Sequence, residues 1–206
     1  VSIGFSVPQP YEPKAYLGID RGILFTIAYA VVDKAGKPLL MAHCDDGIRS
    51  IQLQAGKKVQ DKSRRGIAIS IKDYRRKQQE EVMHRLVNQM IELAHKFKAM
   101  IVMEDLNIKV RGKFIKSAWV KLHRITEYKC RLAGVPFKRE GVFAAFSSKI
   151  CIHCGELVER DDRVVRWPAC GAVEHSDEAA GVNIARRGMY RKADWVGGYR
   201  EFHKSF

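Results

Sequence analysis

Short apolar segments alternate with long amphipathic ones, and this alternation constrains the fold of the chain most. Residues 15–20 (AYLGID), 24–33 (LFTIAYAVVD) and 38–43 (PLLMAH) are short, apolar and joined by Gly-containing turns, which predicts three antiparallel strands. A long amphipathic helix is expected from about Ser70 to Phe97. Its apolar residues recur at spacings of three and four: Val82, Leu86, Met90, Leu93 and Phe97.

The rest of the chain continues the alternation, with one interruption. A strand is expected at 100–103, a helix at 115–132, a strand at 135–142 and a final helix at 177–188. Residues 147–173 carry cysteines, glycines and charges instead of a periodic apolar pattern. The order predicts an α/β fold, a mixed sheet flanked by helices with a small inserted module. We expect the main domain to comprise 1–146 and 174–206, with 147–173 inserted.

The chain is strongly basic, which predicts a polyanionic partner. It has 37 Lys plus Arg against 23 Asp plus Glu, a formal net charge of +14. Nine basic residues and two acids occupy positions 57–77, and the leading candidates for phosphate contact there are Arg64, Arg65, Arg75 and Arg76. A solvated surface is the alternative for such a segment. No apolar stretch approaches the roughly 18–20 residues of a membrane span, and the initial Val1 suggests a piece of a longer chain.

Three carboxylates stand where strands end or a helix begins. Asp20 and Glu104 close predicted strands, and Asp177 stands at the start of the last helix. Taken singly, each could be a turn residue or an N-cap. If the strands of Asp20 and Glu104 are neighbours, all three can line one crevice. Such oxygen ligands suit two Mg²⁺ or Mn²⁺ ions, with Asp20 shared, and two such ions can drive phosphodiester hydrolysis.

Five cysteines, three of them close together near the end of the chain, are unlike a disulfide framework. They favour a reducing cytosol and a metal site. The two outside the cluster, Cys44 and Cys130, are expected to be ordinary buried or half-buried thiols.

These segments resemble a known nuclease family. GIDRG at 18–22, IVMEDL at 101–106 and SDEAAGVNIARRG at 176–188 look like the three motifs of a RuvC-like nuclease domain. CxxCG at 151–155 and PACG at 168–171 look like the zinc ribbon that splits this domain in transposon-encoded TnpB and in type V CRISPR effector nucleases. The resemblance extends from about Ala15 to Gly188.

The resemblance implies an RNase H-like (RuvC) fold and RNA-guided cleavage of DNA, as in antiviral defence. Asp20, Glu104 and Asp177 match the acidic triad of the family. Guide RNA and target DNA would bind through the larger parent chain in the prokaryotic cytosol, and cleavage, with single-stranded DNA as the expected substrate, would leave a 5′-phosphate. The alternatives are a catalytically silent RNA-guided DNA-binding protein and a stand-alone resolvase or transposase of the same fold.

The ribbon departs from the family pattern at one position. Cys151 and Cys154 form one complete half, but the other half has Trp167 where the pattern expects a cysteine, leaving Cys170 alone. Three possibilities stay open: a histidine, His153 or His175, supplies the fourth zinc ligand; three thiolates and a water bind zinc weakly; or Trp167 packs in place of the metal.

Overall fold

The computed structural model describes residues 6–21, 26–45, 61, 64–66, 71–105, 113–139, 142, 146–159 and 162–189. Three helices and seven strands lie within these ranges. The strands are β1 (Ala15–Arg21), β2 (Thr26–Asp33), β3 (Pro38–Asp45), β4 (Ala99–Met103), β5 (Phe137–Lys138), β6 (Val164–Arg166) and β7 (Val173–His175). The helices are α1 (Ile71–Phe97), α2 (Lys113–Ala133) and α3 (Ser176–Met189).

Five strands form one mixed sheet in the order β3-β2-β1-β4-β5. The first three make an antiparallel meander, and β4 and β5 continue the sheet in parallel with β1. The parallel pairing follows from α1, because a crossover helix returns the chain to the same end of the sheet. The predicted α/β class and mixed sheet are confirmed.

The sheet is covered on both faces, so its central strands are apolar on both sides. Leu17 and Ile19 of β1 belong to the core that α1 and α2 cover, together with Leu86 and Ile125. The opposite face carries α3, whose Val182 packs with apolar residues of β2 and of the cysteine segment. Among the described residues, no helix has the length and apolar character needed to cross a membrane.

The cysteine-containing segment has its own small structure. β6 and β7 pair as a two-stranded antiparallel sheet, and an isolated bridge joins Ile150 to Leu157. These strands were not predicted, because three residues are too few to show an alternating pattern. Of the described residues in the strand predicted at 135–142, which leave out 140 and 141, Phe137 and Lys138 alone pair with β4.

Candidate active site

Asp20 and Glu104 lie at the carboxyl ends of two neighbouring parallel strands. β1 and β4 pair in register up to Ile19 and Met103, and each carboxylate is the next residue along its strand. The ends of adjacent parallel strands are where open α/β sheets place their ligands. The sequence analysis expected Asp20 and Glu104 to be close together only if their strands are neighbours. The structure shows that the two strands are neighbours.

Helix α3 reaches this end of the sheet because two glycines allow its backbone to contact β1 and β2. A Cβ atom on Gly18 would lie 2.1 Å from the carbonyl oxygen of Gly181 and 2.4 Å from the backbone nitrogen of Ala185. A Cβ on Gly181 would lie 3.0 Å from the backbone nitrogen of Ala30. Asp20 is on the same face of β1 as Gly18, since side chains alternate along a strand. Asp177 is in the first turn of α3, and its charge acts on Asp20.

The pKa of Asp20 reflects the charges of the other two carboxylates. Burial, followed by the negative charges of Glu104 and Asp177, raises the pKa of Asp20 from its ordinary value to about 7, against the lowering influence of Arg21. Burial also raises the pKa of Glu104, while Arg21 and Arg187 lower it. Carboxylates that destabilise one another's charge in this way favour a cation between them.

Two buried arginines stand beside Glu104. Arg21 places its Nη2 atom 3.4 Å from Oε1 of Glu104 and its guanidinium 5.1 Å from the centre of the Trp119 ring. Burial lowers the pKa of Arg21, and the charge of Glu104 opposes that shift. Arg187 of α3 is fully buried, and its charge acts on Glu104. The sequence analysis did not identify Arg21 as a functional residue, because its position after Asp20 does not predict that its side chain contacts Glu104.

Arg186 has a different environment from Arg187, although the two are adjacent. Its Nε donates to the carbonyl of Gly36 at 2.9 Å and its Nη1 to the carbonyl of Ile152 at 2.8 Å. The side chain thus ties α3 to the β2–β3 turn and to the cysteine segment. Burial lowers the pKa of Arg186 to about 10.

Two groups of three metal-binding side chains bring their ligand atoms within 4.8 Å of one another in the described part of the chain. One comprises Cys151, Cys154 and Cys170; the other comprises His43, His175 and Glu178. The three carboxylates of the active-site candidate are not such a group, so at least two of them are more than 4.8 Å apart. Of the two histidines considered as a fourth zinc ligand, His175 belongs to the second group and His153 pairs with Glu174 at 3.1 Å.

The three thiols of the cysteine cluster lie close together. Sγ atoms of Cys151 and Cys170 lie 3.5 Å apart. Burial raises the pKa of Cys151 to about 12, whereas a hydrogen bond from the backbone of Ala172 lowers that of Cys170. Trp167 is fully buried, with its Nε1 donating to the carbonyl of Lys149 at 3.3 Å. The indole therefore fills the interior beside the thiols.

The predicted phosphate-binding arginines are only partly described. Arg64 and Arg65 are exposed. Arg75 and Arg76 lie on α1, but their side chains, like most of residues 57–70, fall outside the described part. The exposure of Arg64 and Arg65 is compatible with contact to a large anion.

Comparison with known proteins shows which folds this one resembles. A family model for the Cas12f1-like TNB domain matches residues 119–184. In a cryo-EM structure of a Cas12f1–sgRNA–target DNA complex, a chain 16% identical superposes with a TM-score of 0.69, covering 85% of this chain and 50% of that one. A CRISPR-Cas12f ternary complex gives 15% identity and a TM-score of 0.62, covering 89% and 40%. No curated protein matches significantly.

The resemblance to type V CRISPR effectors with an inserted ribbon is thereby confirmed. The fold is similar to that of part of the Cas12f1 chain, and residues 119–184 match the family model for the Cas12f1-like TNB domain. The chain spans half or less of the length of these two solved structures.

Proposed function

We propose that this chain is the nuclease part of an RNA-guided DNA endonuclease and hydrolyses DNA phosphodiester bonds at Asp20, Glu104 and Asp177. The observation that carries the proposal is the convergence of these carboxylates at the carboxyl ends of β1 and β4 under the first turn of α3. The likeness in fold to Cas12f supports it. The boundaries 1–146, 147–173 and 174–206 are part of the proposal.

The carboxylates fit Mg²⁺ or Mn²⁺ by the chemistry of their donor atoms. All three ligands are oxygens, and Asp20 in particular is disfavoured as an anion without a nearby cation. Asp20 would be shared between two ions, with Glu104 on one and Asp177 on the other, and the wider spacing of the three suits two ions better than one. When bound, the ions supply activation of a water and stabilisation of the leaving oxygen.

The buried arginines act on Glu104 rather than on the substrate. Arg21 donates to Oε1 of Glu104, and Arg187 adds a second positive charge from α3. Both favour the ionised carboxylate, which is the form a cation binds. Their part in the reaction is to hold Glu104 charged and oriented at the end of β4.

Binding of nucleic acid would use the positive surface and the remainder of a larger protein. The exposed Arg64 and Arg65 would neutralise phosphates of the DNA. The guide RNA and target DNA named for the solved Cas12f1 complex are the proposed partners here, with base pairing to the guide selecting the target. The three thiols are a candidate zinc site, and their thiolate chemistry suits a reducing cytosol.

The decisive experiment compares binding and cleavage in the same reaction. The full-length protein, loaded with its guide RNA, is given Mg²⁺ and a matched DNA target labelled at one end. Asp20→Asn keeps the shape of the side chain but removes the shared charge, so cleavage should fall by about 10²–10⁴-fold while binding changes little. Glu92→Gln, at an exposed position of α1, is the matched control and should cut normally.

The alternatives predict other results. A silent DNA-binding protein would bind the matched target tightly without cutting it, in wild type and variant alike. A stand-alone resolvase would cut without guide RNA. Either result would overturn the proposal.

A further inference from the structure

A cluster outside the proposed active site brings two imidazoles and a carboxylate together from three different elements. His43 lies on the edge strand β3, His175 ends β7 of the cysteine segment, and Glu178 is in the first turn of α3. Nδ1 of His43 lies 2.6 Å from Oε1 of Glu178. The two imidazole rings stack with centroids 4.5 Å apart and an interplanar angle of 12°.

The ligand atoms of the three side chains lie within 4.8 Å of one another, which is the spacing of donors around one ion. Metal-to-ligand bonds of about 2.0–2.2 Å place two ligands of the same ion within roughly 4 Å of each other. The stacked rings already hold their nitrogens close together. Because the lone pair of each nitrogen lies in the plane of its ring, the two rings must rotate out of their stacked arrangement to enclose a metal.

His175 gives a second, independent indication. Its Nδ1 atom is shielded from solvent and has no hydrogen-bond partner among the described residues. A buried polar atom left unsatisfied is unfavourable by about 1–3 kcal/mol, so native proteins rarely keep one without a reason. A cation bound at Nδ1 would supply the missing partner.

We propose that His43, His175 and Glu178 form a transition-metal site that takes Zn²⁺ or an ion of similar preference. Two imidazoles and one carboxylate are ligands that suit zinc rather than Mg²⁺, and water completes the coordination on the exposed side of His43. The site is separate from the thiol cluster and does not depend on the proposed nuclease activity.

The bound ion would connect three parts of the fold. It would join the sheet edge at β3, the end of β7 and the turn of α3 that carries Asp177. The His43–Glu178 contact already links two of them. A metal there would fix the insertion against the nuclease sheet and hold the start of α3 in place.

Cobalt spectroscopy of the chain tests the proposal, with Co²⁺ substituting for zinc. Thiolate-bound cobalt absorbs strongly in the near ultraviolet through charge transfer, whereas cobalt bound by two imidazoles and a carboxylate absorbs only in the visible. His43→Ala should remove a visible band and leave the near-ultraviolet absorption intact. Since loss of an outer-shell partner alone weakens metal binding by about 10–100-fold, loss of this ligand should weaken it by about 100-fold or more.

Three further variants make the result specific. Glu178→Gln should lose the same visible band, whereas Cys154→Ser should reduce the near-ultraviolet absorption and leave that band in place. His95→Ala removes an exposed histidine of α1 that belongs to neither group, and it should behave as wild type. His43 is 46% exposed, so its replacement leaves the fold intact, which circular dichroism checks. Identical cobalt spectra for wild type and His43→Ala would overturn the proposal and leave an ordinary ion pair.

Discussion

Trp167 occupies the same place in its turn as Cys151 does in the other. The nitrogen of Gly155 donates to the carbonyl of Cys151 at 3.1 Å, and the nitrogen of Gly171 donates to that of Trp167 at 2.8 Å. In return, the nitrogen of Cys151 donates to Glu156, and that of Trp167 to Ala172, both at 2.9 Å. Gly155 and Gly171 have nearly equal positive φ angles, 74° and 72°. The two turns are thus equivalent, with an indole in one where the other has a thiol.

Trp167→Cys should convert this segment into a four-thiolate zinc site. The turn already presents its first residue as Cys151 is presented, and a fourth ligand completes the tetrahedron that zinc prefers. Removing the buried indole creates a cavity, so without zinc the variant should be destabilised by about 3–5 kcal/mol. Zinc should then raise its unfolding midpoint more than that of wild type. Thermal unfolding with and without Zn²⁺ measures both effects.

Trp167→Ala is the matched control, because it leaves a similar cavity and provides no ligand. It should show the loss of stability without the enhanced response to zinc. Equal zinc responses of the alanine and cysteine variants would contradict the structural equivalence of Trp167 and Cys151.

Gly18→Ala should separate α3 from β1. The new methyl group would meet backbone atoms of Gly181 and Ala185 at 2.1 and 2.4 Å, and backbone cannot move aside without shifting the whole helix. Overpacking typically destabilises by about 1–3 kcal/mol, and a clash with backbone belongs at the upper end. Urea unfolding measures the loss of stability. Cleavage activity should fall by more than this loss of stability explains, because Asp177 moves with the helix.

Gly181→Ala provides a graded comparison. Its Cβ would meet backbone atoms of Tyr29 and Ala30 at 3.0 Å or more, so it should destabilise the chain less than Gly18→Ala does. The reverse order of stability would contradict the packing described for α3.

The stability of the chain free of divalent cations should fall as the pH rises from about 4 to about 7. The pKa of Asp20 is about 7 in the folded chain and near 3.8 when unfolded. Between these two pH values Asp20 is ionised in the unfolded chain but still protonated in the folded chain. Raising the pH therefore lowers the free energy of unfolding, by up to a few kcal/mol. Urea unfolding in EDTA at pH 5 and pH 8 gives the slope.

Asp20→Asn should remove most of this pH dependence and make the metal-free chain more stable than wild type at pH 8. Excess Mg²⁺ should restore wild type at pH 8 and leave the variant nearly unchanged. A pH slope that is the same in wild type and Asp20→Asn would show that Asp20 is not strained by its neighbours.

The helices and strands with a long apolar pattern could be predicted from the sequence. The contacts between them could not. The extent of α1 was predicted to within one residue at its start, because five apolar residues repeat along it. The positions of Asp20, Glu104 and Asp177 at strand and helix ends were also evident. The pairing of β1 with β4 could not be predicted from the sequence, because which strands pair is decided by the tertiary structure.

The metal-binding histidines were missed for the same reason. His43, His175 and Glu178 come from three elements, and no spacing in the sequence connects residues 43 and 175. His175 had been considered only as a partner of the cysteines. The buried arginines Arg21 and Arg187 belong to motifs, but the contact of Arg21 with Glu104 depends on the pairing of β1 with β4. The influence of Arg187 on Glu104 depends on how α3 crosses the sheet.

Asn183 connects α3 to the start of the inserted segment, and its replacement should loosen that connection. Its Nδ2 group donates to the carbonyl of Ser147 at 2.8 Å and to that of Ile150 at 2.9 Å, and the side chain is fully buried. Asn183→Asp would place a carboxylate against two carbonyl oxygens. The expected loss at pH 7 is about 3 kcal/mol or more, since two acceptors lose their donor and a charge is buried.

Asn183→Ala separates the two contributions. It deletes both hydrogen bonds without adding a charge, so at pH 7 it should destabilise the chain less than Asn183→Asp does. Near pH 4 the new carboxyl can take up a proton and donate one hydrogen bond, which should bring the two variants close together. Urea unfolding at both pH values measures the difference, and an aspartate variant as stable as the alanine variant at pH 7 would mean that water reaches this position.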